Sequence, residues 1–387
     1  MENASPTGSD KAGRKEIAVE AEYSSVISPQ TTDTGFATSW AIETIDTSTN
    51  DVGKFTSMAY GGGDQFHISY YDDTDNDLLY RLYSTTGPGF VERVAQAGNV
   101  GQYTSIALDP TSPYNHIAYR IAHPGSDLGH AWEGGAPGWT LSVPDGPDGV
   151  GLYTSVAIDG YAHIAYYDAT NNAPKHAWTG STWGGPPWNW FVEVVDSNGN
   201  GGQDTSIAVA PDDSLHISYF IPSSPGTVRH AWGVRDAANN TWQWTITDVG
   251  SNAGGYTSLA LDSNGYPHIT YTRGSGLEHA WATWNSATLA WEWDTEQIDS
   301  RGQSTSLTID VNDGLHVAYY DSPAAALKYA SGMYDSATGI WSWETQIVDD
   351  PAGENVGQFT AIAVHDSGSI YIAYYDATNG DLKLAHN

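Results

Sequence analysis

A seven-bladed β-propeller is the fold this sequence predicts, and three observations predict it. A short phrase, "VGQYTSIALD" at residues 100–109, returns seven times along 387 residues. Three further strand-like phrases accompany each return in a fixed order. The last kind of phrase is displaced, occurring once before the first repeat and not after the final one. A period of roughly 50 residues carrying four short strands is the mark of a propeller blade.

The first strand carries the threonine of the phrase at Thr56, Thr104, Thr154, Thr205, Thr257, Thr305 and Thr360, at intervals of 48, 50, 51, 52, 48 and 55. The second opens on His67, His116, His163, His216, His268 and His316, with Tyr371 in the seventh repeat, as in "HISYYD" and "HIAYYD". The third reads "LLYRLY", "LGHAW", "PKHAW", "VRHAW", "LEHAW", "LKYAS" and "LKLAH". The fourth is built on Trp40, Phe90, Trp139, Trp190, Trp244, Trp293 and Trp343, usually followed by an "ExVD"-like run. All are short alternations of β-branched, aromatic and small side chains, separated by turn residues such as "DATNGD" and "DSNGYP", which is strand and turn chemistry. Because "WAIETID" at 40–46 precedes the first repeat and the chain stops at "LKLAHN", the N-terminal strand is expected to complete the last blade and remove a sheet edge. Residues 1–37 fall outside the pattern and read as a flexible arm, leaving 38–387 as the propeller.

Composition narrows the function. The chain has 46 acidic and 14 basic residues, a formal charge of −32, which repels nucleic acid and anionic lipid. There is no cysteine, hence no disulfide framework or thiolate metal site. No apolar run is long enough to span a bilayer as a helix, and the first 22 residues lack the apolar core of a signal peptide. The location expected is nevertheless extracellular or at the cell surface.

The recurring histidines read as buried packing groups, since a ring cannot use six equivalent catalytic centres and adjacent blades hold them too far apart to share an ion. The stretch "DDTDND" at 72–77 is the most calcium-like, but it lacks the central glycine and closing glutamate of an EF-hand loop. No cofactor or metal is therefore expected, with calcium at this turn as the alternative. Tryptophans are distributed less evenly. Trp132, Trp178, Trp232 and Trp281 end the third strand in four blades only, where the others have Leu82, Ser331 and His386. A second tryptophan stands before the fourth-strand aromatic as Trp188, Trp242, Trp291 and Trp341, where other blades have Thr38, Pro88 and Pro137. Aromatic faces stack on sugar C–H surfaces while neighbouring polar groups bond hydroxyls. The candidate ligand-binding set is accordingly Trp132, Trp178, Trp232 and Trp281 with His130, His176, His230 and His279.

Broken symmetry would mark a single catalytic mouth instead. Arg81, Arg120 and Arg273 depart from the repeat, and so do Asp204 and Ser304 where it is usually aromatic. Such arginines suit a carboxylated sugar. The repeat "GQYTSIAxD…HIxYYD…LKxA" resembles one found in bacterial and archaeal propeller proteins of unassigned function, over 38–387. More distantly it is similar to the sialidase-like superfamily and to propeller lectins that bind sugars between blades. The Asp-boxes, S-x-D-x-G-x-x-W, that mark sialidases are absent. The resemblance thus implies a lectin-like module with several related glycan sites. The alternatives are a polysaccharide lyase or glycosidase, and a protein-interaction or surface-appendage module whose partner is a surface protein.

Overall fold

The computed structural model describes residues 39–87, 89–110, 114–134, 138–180, 189–198 and 200–387. The arm at 1–37 lies outside them, as do Thr38, Pro88, Pro137 and Trp188. Seven four-stranded antiparallel sheets follow one another along the chain. Blade 1 comprises Val52–Tyr60, Gln65–Asp72, Asp77–Ser84 and Phe90–Ala95; blade 2 comprises Asn99–Leu108, Asn115–His123, Asp127–Glu133 and Trp139–Asp145. Blade 3 comprises Leu152–Ile158, Ala162–Asp168, Ala173–Thr179 and Trp190–Val194; blade 4 comprises Gln203–Val209, Leu215–Ile221, Thr227–Asp236 and Thr241–Ser251. Blade 5 comprises Ala253–Leu261, Pro267–Arg273, Gly276–Asn285 and Ala290–Asp299; blade 6 comprises Gln303–Ile309, Leu315–Asp321, Ala326–Asp335 and Ile340–Asp349. Blade 7 takes three strands from the C-terminus, Val356–Val364, Ile370–Asp376 and Asp381–His386, and its fourth from the N-terminal Ala41–Asp46. That pairing, Ala41 opposite His386 through Asp46 opposite Leu382, is the expected closure.

The repeated phrase stitches blades together at the axis. The residue before its threonine has a left-handed backbone in every blade: Phe55, Tyr103, Tyr153, Asp204, Tyr256, Ser304 and Phe359, with φ between 50° and 56°. The ladder to the second strand shifts register here, as between Leu152 and Ser155, so each first strand carries a bulge. A non-glycine residue held this way costs about 1–3 kcal/mol and persists only where its surroundings fix it. The threonine and serine do the fixing. The hydroxyl of Thr154 donates to the carbonyl of Tyr103 in the preceding blade, and Thr205, Thr257 and Thr360 donate to Tyr153, Asp204 and Ser304. Each serine oxygen accepts a backbone N–H from the following blade: Ser57 from Ile106 at 3.1 Å, Ser155 from Ile207 at 3.1 Å, Ser258 from Leu307 at 3.0 Å. In blade 7 the serine is replaced by Ala361, so the junction between blade 7 and blade 1 lacks this bond.

The fourth-strand aspartate ties the outer edge. Its carboxylate accepts the hydroxyl of a buried tyrosine in the next blade: Asp46 from Tyr70 at 2.6 Å, Asp196 from Tyr219 at 2.9 Å, Asp299 from Tyr319 at 2.7 Å. Lys383 adds a 2.7 Å pair to Asp349, and Arg229 a 2.9 Å pair to Asp196. Between axis and edge the core is a set of clusters in the blade interfaces, such as Ile207, Ile217 and Tyr219 against Ala165 and Trp178.

Candidate ligand clefts between the blades

Each second-strand histidine meets a third-strand ring inside its own blade. Nδ1 of His67 lies 2.8 Å from the Tyr80 hydroxyl, and His163 Nδ1 lies 3.0 Å from Nε2 of His176. His116, His216 and His268 meet His130, His230 and His279 at 3.0, 2.9 and 3.0 Å. The fourth-strand aromatic of the next blade then packs edge-on against the third-strand ring: Trp139 on Tyr80, Trp190 on His130, Trp244 on His176, Trp293 on His230, Trp343 on His279. Indole N–H groups of Trp244 and Trp343 donate to Glu193 and Glu296 of the preceding blade at 2.8 and 2.7 Å. Burial pushes His67, His116 and His216 down to about 4 and His268 to about 3, which keeps those four imidazoles neutral. The second-strand histidines are packing groups, as expected.

His130, His176, His230 and His279 have 0% exposure. In this arrangement they stand behind the tryptophans and present no surface to a ligand. The four tryptophans divide. Trp132 and Trp178 are buried at 8% and 3% exposure, whereas Trp232 and Trp281 are half-buried and open to two clefts. The cleft between blades 4 and 5, about 400 Å³, is bordered by Trp232, Tyr266, Trp284 and Trp291 with Asp212, Ser214 and Asn264. The cleft between blades 5 and 6, about 370 Å³, is bordered by Trp281, Tyr266, Tyr334 and Trp341 with Asp262, Asn264, Asn312 and Asp313.

Long hairpins make these walls. The third strands of blades 4, 5 and 6 run ten residues, against seven in blades 2 and 3. All three hairpins turn the same way. Asp236, Asn285 and Asp335 accept the N–H two residues on, at 3.0, 2.9 and 2.9 Å, and Asn240, Leu289 and Gly339 take positive φ. Just inside each turn stands Arg235, Trp284 or Tyr334. Trp284 packs 5.1 Å from Trp232 and 5.2 Å from Trp291; Tyr334 packs 5.2 Å from Trp341. Sequence reasoning missed Trp284, Tyr334 and Tyr266. The available signal was the aligned run "WGVRDAANNTWQW", "WATWNSATLAWEW", "SGMYDSATGIWSW".

The channel mouth is a separate place, about 180 Å³, ringed by the left-handed residues. Phe359, Phe55, Tyr103 and Tyr153 form a continuous aromatic wall with centroids 4.9, 4.6 and 4.7 Å apart. The two breaks in this collar serve the backbone. Asp204 Oδ2 accepts the N–H of Tyr256 at 2.7 Å, and Ser304 Oγ that of Phe359 at 3.0 Å. Burial pushes the Asp204 carboxyl up. The three arginines do not converge. Arg81 lies in the third strand of blade 1 opposite Ile68, Arg120 of blade 2 donates to Gln102 at 3.2 Å, and Arg273 of blade 5 sits 3.6 Å from Glu278. Among the described residues no group of three or more His, Asp or Glu is placed to hold a metal. In the "DDTDND" turn, Asp72 Oδ1 accepts the N–H groups of Thr74 and Asp75, both at 3.0 Å. No helix among the described residues is long and apolar enough to cross a membrane.

No family model matches the sequence, and no curated protein matches it. Solved structures do share the fold. The polysaccharide lyase Uly1 superposes with TM-score 0.54 at 10% identity, over 85% of this chain and 89% of that one. A triple arginine-to-alanine mutant of AofleA from Arthrobotrys oligospora gives 0.51 at 13% identity, over 80% and 89%. A protein of unknown function from Dyadobacter fermentans gives 0.51 at 9% identity, over 86% and 93%. At these identities the likeness is one of fold: an all-β, seven-bladed propeller closed by its own N-terminal strand.

Proposed function

We propose that this protein is a carbohydrate-recognition module that holds sugar rings in the clefts between blades 4 and 5 and between blades 5 and 6. The observation that carries the reading is the pairing, in both clefts, of accessible aromatic faces with a rim of carboxylate and amide groups. Trp284 and Tyr334 offer flat faces to the C–H surface of a sugar, and Asp212, Asn264, Asn312 and Asp313 offer partners for its hydroxyls. Clefts of this volume sit at the small end of the ~300–1,000 Å³ range of small-molecule sites. Each is a weak site, and affinity for a dense glycan surface comes from engaging both. The extracellular or cell-surface location belongs to the same proposal. The scatter of Arg81, Arg120 and Arg273 over blades 1, 2 and 5 favours binding over turnover.

The test is a glycan array followed by calorimetry with the best soluble hit. Binding at two equivalents per chain, reduced by one each in Trp284→Ala and Tyr334→Ala, supports the reading. A single equivalent insensitive to both substitutions sinks it.

A further inference from the structure

The same hairpin position is Arg235, Trp284 and Tyr334 in three successive blades, and the first of these shows what the clefts accept. Between blades 3 and 4 the Arg235 guanidinium lies 5.0 Å over the ring of Tyr161 across the interface. Its Nη2 donates to Asn240 at 3.0 Å, and its Nε is buried with no acceptor among the described residues. Trp178 and Trp242 on the same interface are only 3% and 6% exposed. Here the chain fills its own aromatic cleft with a cation.

The two neighbouring clefts keep the aromatic walls without the plug. They add carboxylates that no lysine or arginine among the described residues neutralises. Asp212 accepts only from Ser214, Asp262 from Asn264 and the Tyr266 N–H, and Asp313 from Ser263. Among the described residues no lysine or arginine borders either cleft. The histidines that do, His216 and His268, are held neutral by burial, at about 4 and about 3. A cation on an aromatic face beside an unpaired carboxylate is favoured by both groups, and a chain of charge −32 attracts cations from a distance.

Resting on the carbohydrate reading above, we propose that both clefts select sugars bearing a protonated amine over neutral and acidic sugars. The ammonium would lie against these aromatic walls beside the carboxylates, as the Arg235 guanidinium lies over Tyr161 in the adjacent interface.

Calorimetry on the full chain at mildly acidic pH tests this with hexamers of β-1,4-linked glucosamine, of its N-acetylated counterpart and of a uronic acid. The glucosamine hexamer should bind about tenfold tighter than the acetylated one at low salt, with a gap that narrows as salt rises. Asp212→Asn and Asp313→Asn should shrink that ratio. Equal binding of the amino and acetylated hexamers overturns the amine selectivity and leaves the carbohydrate reading standing. Binding of hexalysine but of no sugar overturns both. The double variant Trp284→Ala, Tyr334→Ala keeps the net charge; undiminished glucosamine binding there assigns the attraction to the acidic surface at large and overturns the proposal.

Discussion

Removing the N-terminal strand should destabilise the ring by an amount the structure allows to be worked out. The comparison is between a chain beginning at Ser39 and one beginning at Thr47. The shorter chain loses Ile45, 5% exposed, whose burial is worth about 1.5–3 kcal/mol. It loses Asp46, leaving the Tyr70 hydroxyl, 2.6 Å away and fully buried, without its acceptor at a cost of about 1–3 kcal/mol. It also loses the ladder from Ala41–His386 to Asp46–Leu382, whose hydrogen bonds are worth roughly 0.5–1.5 kcal/mol each net. Together these give about 5–10 kcal/mol. With ~2.1 cal/mol/K of unfolding entropy per residue, a ring of this size loses about 1.4 °C per kcal/mol, so Tm should fall by roughly 7–14 °C. Scanning calorimetry reads this directly, and the exposed edge of Asp381–His386 should make the truncated chain self-associate. Melting temperatures within about 2 °C of each other, well below that scale, would show that the ring is closed by something other than this strand.

Other expectations follow from the same contacts. Ser155→Ala leaves the Ile207 N–H without its 3.1 Å acceptor and should cost about 1–3 kcal/mol; Ala361→Ser should supply the missing seventh bond and raise stability by about 0.5–1.5 kcal/mol, both read by urea unfolding. The buried histidines make the fold acid-labile. His67, His116, His216 and His268 titrate at about 3 to 4 in the folded chain, against ~6.5 when unfolded. The unfolded state therefore binds more protons between those values, and the stability these groups contribute is complete above pH ~6.5 and lost as pH falls toward about 4. A Tm that does not change between pH ~6.5 and ~5 would contradict their placement. Trp178→Ala should lower stability by about 3–5 kcal/mol, the cost of emptying a buried tryptophan site, without changing ligand stoichiometry; fewer bound ligands in a folded variant would put Trp178 in a site.

Much of the fold was legible because the blade is written out seven times. Strand count, blade count and closure follow from the positions of Thr56 to Thr360 and from Trp40 standing ahead of the first repeat. The second-strand histidines were legible as packing for the same reason, but their third-strand partners His130, His176, His230 and His279 were read as ligand groups and are buried. The binding surface was not, because it depends on which blade a tryptophan meets. Trp178 and Trp281 occupy equivalent places, yet one is sealed in an interface that Arg235 of the next blade spans and the other opens beside Tyr334. The deciding residue lies about one repeat further on, in another blade, and only the lengthened hairpins of blades 4 to 6 announce it. Nor did the sequence suggest that Phe55 or Tyr153 is left-handed, since aromatic residues rarely are. Asp204 and Ser304, which looked like broken symmetry at a mouth, are backbone acceptors for Tyr256 and Phe359.

The most direct test of the clefts as ligand sites is a crystal structure with the strongest glycan-array hit bound. The account predicts sugar rings stacked on Trp284 beside Asp212 and on Tyr334 beside Asp313, in the clefts on either side of blade 5. A sugar seated instead at the channel mouth, against Phe55 and Tyr103, with both clefts unchanged, would contradict it.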